Sequence, residues 1–242
     1  MNAKASPWWY RQRSLVLGVI YLCGFYFCAW LWVRAYGAYA PLYALLAREN
    51  ATGVHALLWT AAGLSIAGYF VRLWGSAYLS AEVVWSPDAL DLRLIVDGPF
   101  RFIRNPLYFG NNLQALGLSL LATPYGSVVI FFGSVLFTAL LGAYEAGLMR
   151  AAYGAVYERF RDAVPAMFPR LTPATVVGAA RATPSLANGL RGEILMLGMT
   201  IGVIGIAIAG VGGWRFFGIC LVAGWFAQMI FGRGVAAPRR NR

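Results

Sequence analysis

The segment Gly98-Pro99-Phe100-Arg101-Phe102-Ile103-Arg104-Asn105-Pro106-Leu107-Tyr108-Phe109-Gly110 sets two arginines, an asparagine and a tyrosine at the mouth of an apolar run. Charged groups at membrane depth are costly and mark functional sites by default. Gly98-Pro99 breaks any preceding helix. Pro106 suits a first helical turn, where its missing N–H costs nothing. The spacing therefore predicts a helix that starts near Asn105, with Asn105 as its N-cap. Free N–H groups at such a start favour a carboxylate or phosphate, and Arg101 and Arg104 would add charge-assisted donors. Gly110 would let a ligand approach the backbone one turn in. Tyr108 offers a flat apolar face with a polar tip.

A second candidate segment runs from Tyr144 to Pro165. Glu145, Met149, Tyr153, Tyr157 and Phe160 recur on one helical face. A carboxylate so close to lipid needs a partner, and two readings stay open. Glu145 accepts from ligand hydroxyls or pairs with a ligand ammonium. Otherwise it forms a salt bridge with Arg104 or Arg150, while the aromatics lie on the membrane surface.

The elements that must position these groups are apolar helices. The 242-residue chain is 60% hydrophobic and only 12% charged, well below the roughly 25% charged residues of soluble domains. A spanning helix needs about 20 apolar residues. Spans are expected over about Ser14–Val33, Val54–Leu79, Leu107–Ala122, a fourth from the Thr123-Pro124-Tyr125-Gly126 turn to about Ala143, Ile194–Val211 and Phe216–Phe231. The expected fold is an all-α polytopic bundle of about six transmembrane helices, read as one membrane domain. Within it, 1–69 are N-terminal spans, 70–170 the core, and 171–242 a linker with two further spans. Residues 38–50 read equally as an interfacial amphipathic helix or as an external loop with one helical turn.

The net charge of +11 would suggest nucleic acid in a soluble protein. Here the arginines cluster at the ends of apolar blocks, so membrane topology explains them and no nucleic-acid partner is expected. With both termini in the cytoplasm, only Arg34, Arg48 and Arg215 fall outside and Arg72 lies within a span, while segments 80–106 and 144–192 face the cytoplasm. The first span lacks a convincing cleavage site and reads as an uncleaved helix. Cys23, Cys28 and Cys220 have no metal-ligand spacing and read as apolar filler, so no metal is expected. His55, the single histidine, sits near the outer end of the second span and reads as a packing or interface residue rather than a general base. No Ser/His/Asp or Cys/His set points to a hydrolase.

Gly-Pro-Phe-x-x-x-Arg-Asn-Pro-x-Tyr-x-Gly at 98–110 is followed by Glu-x-x-x-Met-x-x-x-Tyr-Gly-x-x-Tyr-x-x-Phe-x-x-x-Val-Pro at 145–165. Together they resemble the isoprenylcysteine carboxyl methyltransferase and phospholipid methyltransferase superfamily, integral membrane enzymes that use S-adenosylmethionine. The resemblance covers about residues 70–170, and Arg72-Leu73-Trp74-Gly75 fits the family's second-helix pattern. It implies a cofactor held by Leu92, Arg93, Leu94, Ile95, Phe100, Arg104, Asn105, Pro106, Leu107, Tyr108, Gly110 and Glu145. It also implies catalytic roles for Glu145, Arg104 and Asn105, and a lipid or lipophilic small-molecule substrate at the cytoplasmic face.

Three positions depart from the family pattern. Asn105 replaces a histidine, Ala146 replaces the second acid of a Glu-Glu pair, and Leu141 stands where prenylcysteine methyltransferases place a substrate-binding arginine. The expectation is a substrate other than a prenylated C-terminus, unless Arg72 or another arginine takes over. The sulfonium is already activated, so methyl transfer asks for positioning and water exclusion more than acid–base help. Competing readings are a membrane NADPH-dependent reductase of the sterol-reductase type and a non-catalytic membrane scaffold. Gly198, Gly202, Gly205, Gly210, Gly212 and Gly213 offer small-residue faces that would serve packing within the monomer, close the substrate cavity or form a homodimer contact. The Ala/Gly/Arg-rich composition points to a prokaryotic inner (cytoplasmic) membrane.

Overall fold

A computed structural model describes residues 6–48, 50–79, 93–176 and 182–232. It is all-helical, with no strand among the described residues. A short helix α1 (Trp8–Arg11) leads into α2 (Arg13–Tyr36), which contains one π-helical turn at Cys23–Phe27. The chain then makes α3 (Leu42–Leu46) and the long α4 (Ala51–Tyr78). A single turn at Gly98–Arg101 precedes α5 (Pro106–Leu121) and α6 (Pro124–Tyr153). Next come α7 (Ala155–Ala163), α8 (Leu186–Gly192), α9 (Ile194–Ala209) and α10 (Gly213–Phe231).

Local sequence sets these boundaries. The Asn50 side chain accepts from the Gly53 N–H at 3.1 Å and starts α4. Pro106 and Pro124 open α5 and α6. Gly154 sits at φ +49°, a left-handed conformation that ends α6 and turns the chain into α7.

Four helices are long and apolar enough to cross a membrane: α2, α4, α6 and α10. The pair α8–α9, bent by 68° at its break, would make a fifth. The expected third span falls short. The 16 residues of α5 reach about 24 Å at 1.5 Å per residue, against about 30 Å of hydrocarbon. α5 is an inner helix, packed between α4 and α6. Outward faces such as Phe132, Leu136 and Leu140 on α6 and Phe216, Ile219 and Ile230 on α10 are exposed and apolar, as lipid-facing surfaces are. The chain is an integral membrane protein. The 38–50 region resolves to its loop alternative: α3 is a five-residue turn with Tyr43 tucked into the core.

The main core lies where α4, α5, α6 and α9 meet, around Leu58, Ala61, Leu118, Ile130, Val203 and Ile206. Glycines set the helix spacing there. A Cβ at Gly110 would stand 2.6 Å from the Gly68 carbonyl, and one at Gly117 would stand 2.7 Å from the Ala61 carbonyl. Of the C-terminal glycines, Gly198, Gly202, Gly205 and Gly213 are used the same way, inside the chain, whereas a Cβ at Gly210 or Gly212 would meet nothing within 4 Å. A Cβ at Gly198 would meet the Cys220 carbonyl at 2.6 Å, and one at Gly202 would meet the Phe217 Cα at 2.9 Å. Their small faces bind α9 to α10.

Candidate functional site

The two faces of α5 differ. One is sealed against α4, and the other stands off α6 and leaves a slot of about 240 Å³. Asn105, Tyr108, Phe109 and Asn112 line the slot from α5, one face of a helix at i, i+3, i+4, i+7. They run about 10 Å along the axis at 1.5 Å per residue. Opposite them stand small residues of α6: Ala139, Gly142, Ala143 and Ala146, with Thr138 at the deep end. Ala166 and Met167 close the outer side, and Arg104 stands at the mouth. Gly142 gives the Asn105 side chain room here, since a Cβ would come 3.1 Å from its amide nitrogen.

The strap that carries Ala166 and Met167 is tied to the Arg101–Arg104 stretch by backbone hydrogen bonds. The N–H of Arg104 donates to Pro165 O (2.9 Å), Arg170 N–H to Phe102 O (3.0 Å) and Ala174 N–H to Arg101 O (2.9 Å). Arg101 itself turns away from the slot and donates its Nε to the Ala174 carbonyl at 2.9 Å. Asn105 occupies the N-cap position of α5 but makes no side-chain cap. It donates instead to the Ala166 carbonyl at 3.2 Å, fastening the strap. Arg104 Nη1 donates to the Tyr157 hydroxyl at 3.3 Å, and its buried Nε has no hydrogen-bond partner. Such an orphaned charged donor is costly unless a ligand anion answers it.

Glu145 stands behind the slot. Its carboxylate accepts from the Tyr108 hydroxyl at 2.7 Å and the Tyr10 hydroxyl at 2.9 Å. The salt bridge anticipated with Arg104 or Arg150 is absent from the described pairs: Arg150 pairs with Glu158 at 2.5 Å. Tyr10 reaches Glu145 because α1 folds onto the end of α6, where Tyr10 and Tyr144 lie 4.8 Å apart and Trp9 packs edge-on to Tyr144. Burial, and then the Glu145 charge, push the Tyr10 phenol far above the ordinary tyrosine range, so it remains a donor.

The other anticipated cofactor residues separate from the slot. Leu94, Ile95 and Phe100 are buried in a second core with Tyr157, Phe160 and Val164, while Arg93 is exposed. Pro106 and Leu107 pack where a Cβ on Gly75 of α4 would lie. Gly110 faces Gly68 and Arg72, so its small size serves helix contact and no ligand reaches the backbone there. Leu92 lies outside the described residues. Of the residues expected to hold a cofactor, the slot brings together Arg104, Asn105 and Tyr108, with Glu145 joined to it through Tyr108.

Arg72 is not free to receive a substrate carboxylate. It is 5% exposed, and its Nε and Nη2 donate to Glu193 at 2.6 and 3.0 Å. Its Nη1 donates to Asn111 at 2.8 Å and to the Leu107 carbonyl at 3.2 Å, and Ser76 adds a hydrogen bond to Glu193. Leu141 is fully buried against Tyr10 and Phe137, on the side of α6 away from the slot. His55 is exposed at the start of α4. The three cysteines are free, and no described cluster of His, Cys, Asp or Glu could hold a metal.

Sequence reasoning missed Asn112, Thr138 and Gly142. Asn112 continues the 105–108 face, and Thr138, Gly142 and Ala146 recur every fourth residue, so periodicity could have found them. No local signal marked Tyr10 or Glu193, which act across 135 and 121 positions of chain.

Residues 56–156 match the family model for phospholipid methyltransferase. No curated protein and no solved structure gave a match. The matched stretch contains most of α4 and all of α5 and α6, hence both long walls of the slot. Residues 56–156 are thus similar to the phospholipid methyltransferase family over the segment that builds both long walls of the slot.

Proposed function

We propose that the chain is an S-adenosylmethionine-dependent methyltransferase acting on a lipid or small amphipathic acceptor at the cytoplasmic face of a prokaryotic inner membrane. The observation that carries this reading is the slot between α5 and α6, walled by the family-matched segment and lined by Arg104, Asn105 and Tyr108. The donor set suits a zwitterionic ligand. Arg104 would hold the methionyl carboxylate with its unpartnered Nε. The Tyr108 ring would lie against the sulfonium end, an arrangement favourable to a cation. Bound there, the cofactor supplies an already activated methyl group, and the protein supplies orientation and exclusion of water. Small α6 residues leave room opposite the α5 side chains, and the lipid-facing side of α6 would let an apolar acceptor approach from the bilayer. At about 240 Å³ the slot is smaller than the pockets of about 300–1,000 Å³ that enclose drug-sized ligands.

Calorimetric titration of the purified protein with S-adenosylmethionine and, separately, NADPH tests the assignment. Saturable binding of S-adenosylmethionine alone is expected, and binding of NADPH alone would replace it with the reductase reading. Membranes containing the protein, incubated with methyl-labelled cofactor, are expected to place label in the lipid fraction.

A further inference from the structure

Methylating an amine, thiol or hydroxyl leaves a proton to be removed, whereas methylating a carboxylate leaves none. The slot contains one arrangement suited to that proton. Tyr108 lines it, and the same phenol donates at 2.7 Å to Glu145, a carboxylate set outside the lining. The other polar lining groups offer no such path. Arg104 is a donor only. The Asn105 amide is engaged with Ala166. Asn112 and Thr138 are neutral and hydrogen-bonded to each other at 3.1 Å. Neither Arg72, locked to Glu193, nor Arg104, assigned to the cofactor, is available to an acceptor carboxylate.

We propose that Tyr108 is the catalytic proton acceptor and Glu145 the sink behind it, so that the methylated group is a protic nucleophile. The inference rests on the methyl-transfer reading above. In the step, a bond forms between the acceptor atom and the methyl carbon as the carbon–sulfur bond breaks, its electron pair passing to sulfur to give a neutral thioether. The acceptor's proton goes to the Tyr108 oxygen, and the phenol's own proton goes to Glu145. The sulfonium's positive charge and the carboxylate's negative charge vanish together, and exchange with water resets Glu145. Tyr10, the second donor to Glu145, holds the carboxylate toward Tyr108 and acts as a positioning residue.

Tyr108→Phe and Glu145→Gln test this in the full chain. Gln keeps an acceptor oxygen for both phenols but cannot take a proton. Binding of S-adenosylhomocysteine by calorimetry reports folding and cofactor affinity, and transfer of labelled methyl to membrane lipids reports chemistry. Both variants are expected to bind S-adenosylhomocysteine like the wild type and to transfer roughly 100-fold more slowly, the lower range for a lost proton acceptor. The deficit should appear in kcat and should narrow as pH rises and solvent removes the acceptor's proton. The charged and titratable groups facing the pair, Tyr10 and Arg13 from the N-terminal helices and Tyr144 from α6, are the same in every variant. Transfer at the wild-type rate by either variant, or a deficit independent of pH, overturns the proposal. So does label that mild alkali releases as methanol, the mark of a methyl ester. Wild-type protein that neither binds S-adenosylhomocysteine nor transfers label removes the methyl-donor reading itself, a distinguishable result.

Discussion

Glu193 and Glu145 are both carboxylates lodged where helices meet in an apolar bundle, yet they are held by opposite means. Glu193 is fully buried and gripped by a guanidinium through two hydrogen bonds, with a serine added. Glu145 is partly buried and held by two phenols. A guanidinium cannot give up its proton at any ordinary pH, so the first arrangement is fixed. A phenol can exchange its proton, so the second is open to chemistry. The same contrast divides the helix interfaces: α4 meets α5 glycine to backbone, while α5 and α6 leave the slot.

Breaking the fixed side should cost most. Glu193→Ala leaves Arg72 buried and uncompensated, and an expected loss of about 3–5 kcal/mol follows. It would be read as a large drop in the thermal midpoint in detergent micelles. Next comes Gly110→Val, which forces a side chain into the Gly68 carbonyl. A loss of about 1–3 kcal/mol is expected from overpacking, again by thermal unfolding. Glu145→Gln should sharpen the comparison by costing less than about 1 kcal/mol, since both phenols keep an acceptor. A melt that falls as far as that of Glu193→Ala would show Glu145 to be structural too. The smallest effect belongs to Glu158→Gln. Its partners Arg150 and Arg161 are 54% and 39% exposed, so the change should stay within about 0.5 kcal/mol.

The periodic features were legible in the sequence. Long apolar runs and the Pro106 and Pro124 starts are local signals, and those helices begin where these put them, whereas the single helical face read over Glu145–Phe160 is broken at Gly154, whose φ of +49° ends α6 and starts α7. The slot's mouth was legible for the same reason, because Arg104, Asn105 and Tyr108 share one turn and one face. The span count was less so: α5 has the composition of a spanning helix but not the length. Gly110 misled because a glycine facing a ligand and one facing another helix read alike. Arg72 misled because its partner lies 121 residues away and outside the recognisable motifs.

That distant pairing gives the protein a mechanical unity its motifs do not suggest. Residues 56–156 carry the recognisable core, yet among the described residues the carboxylate paired with its buried Arg72 is Glu193, which lies beyond them. Cutting the chain after the matched stretch would strand a positive charge among hydrocarbon side chains. An excised core would therefore need Arg72 replaced by an uncharged residue before it could be handled by itself.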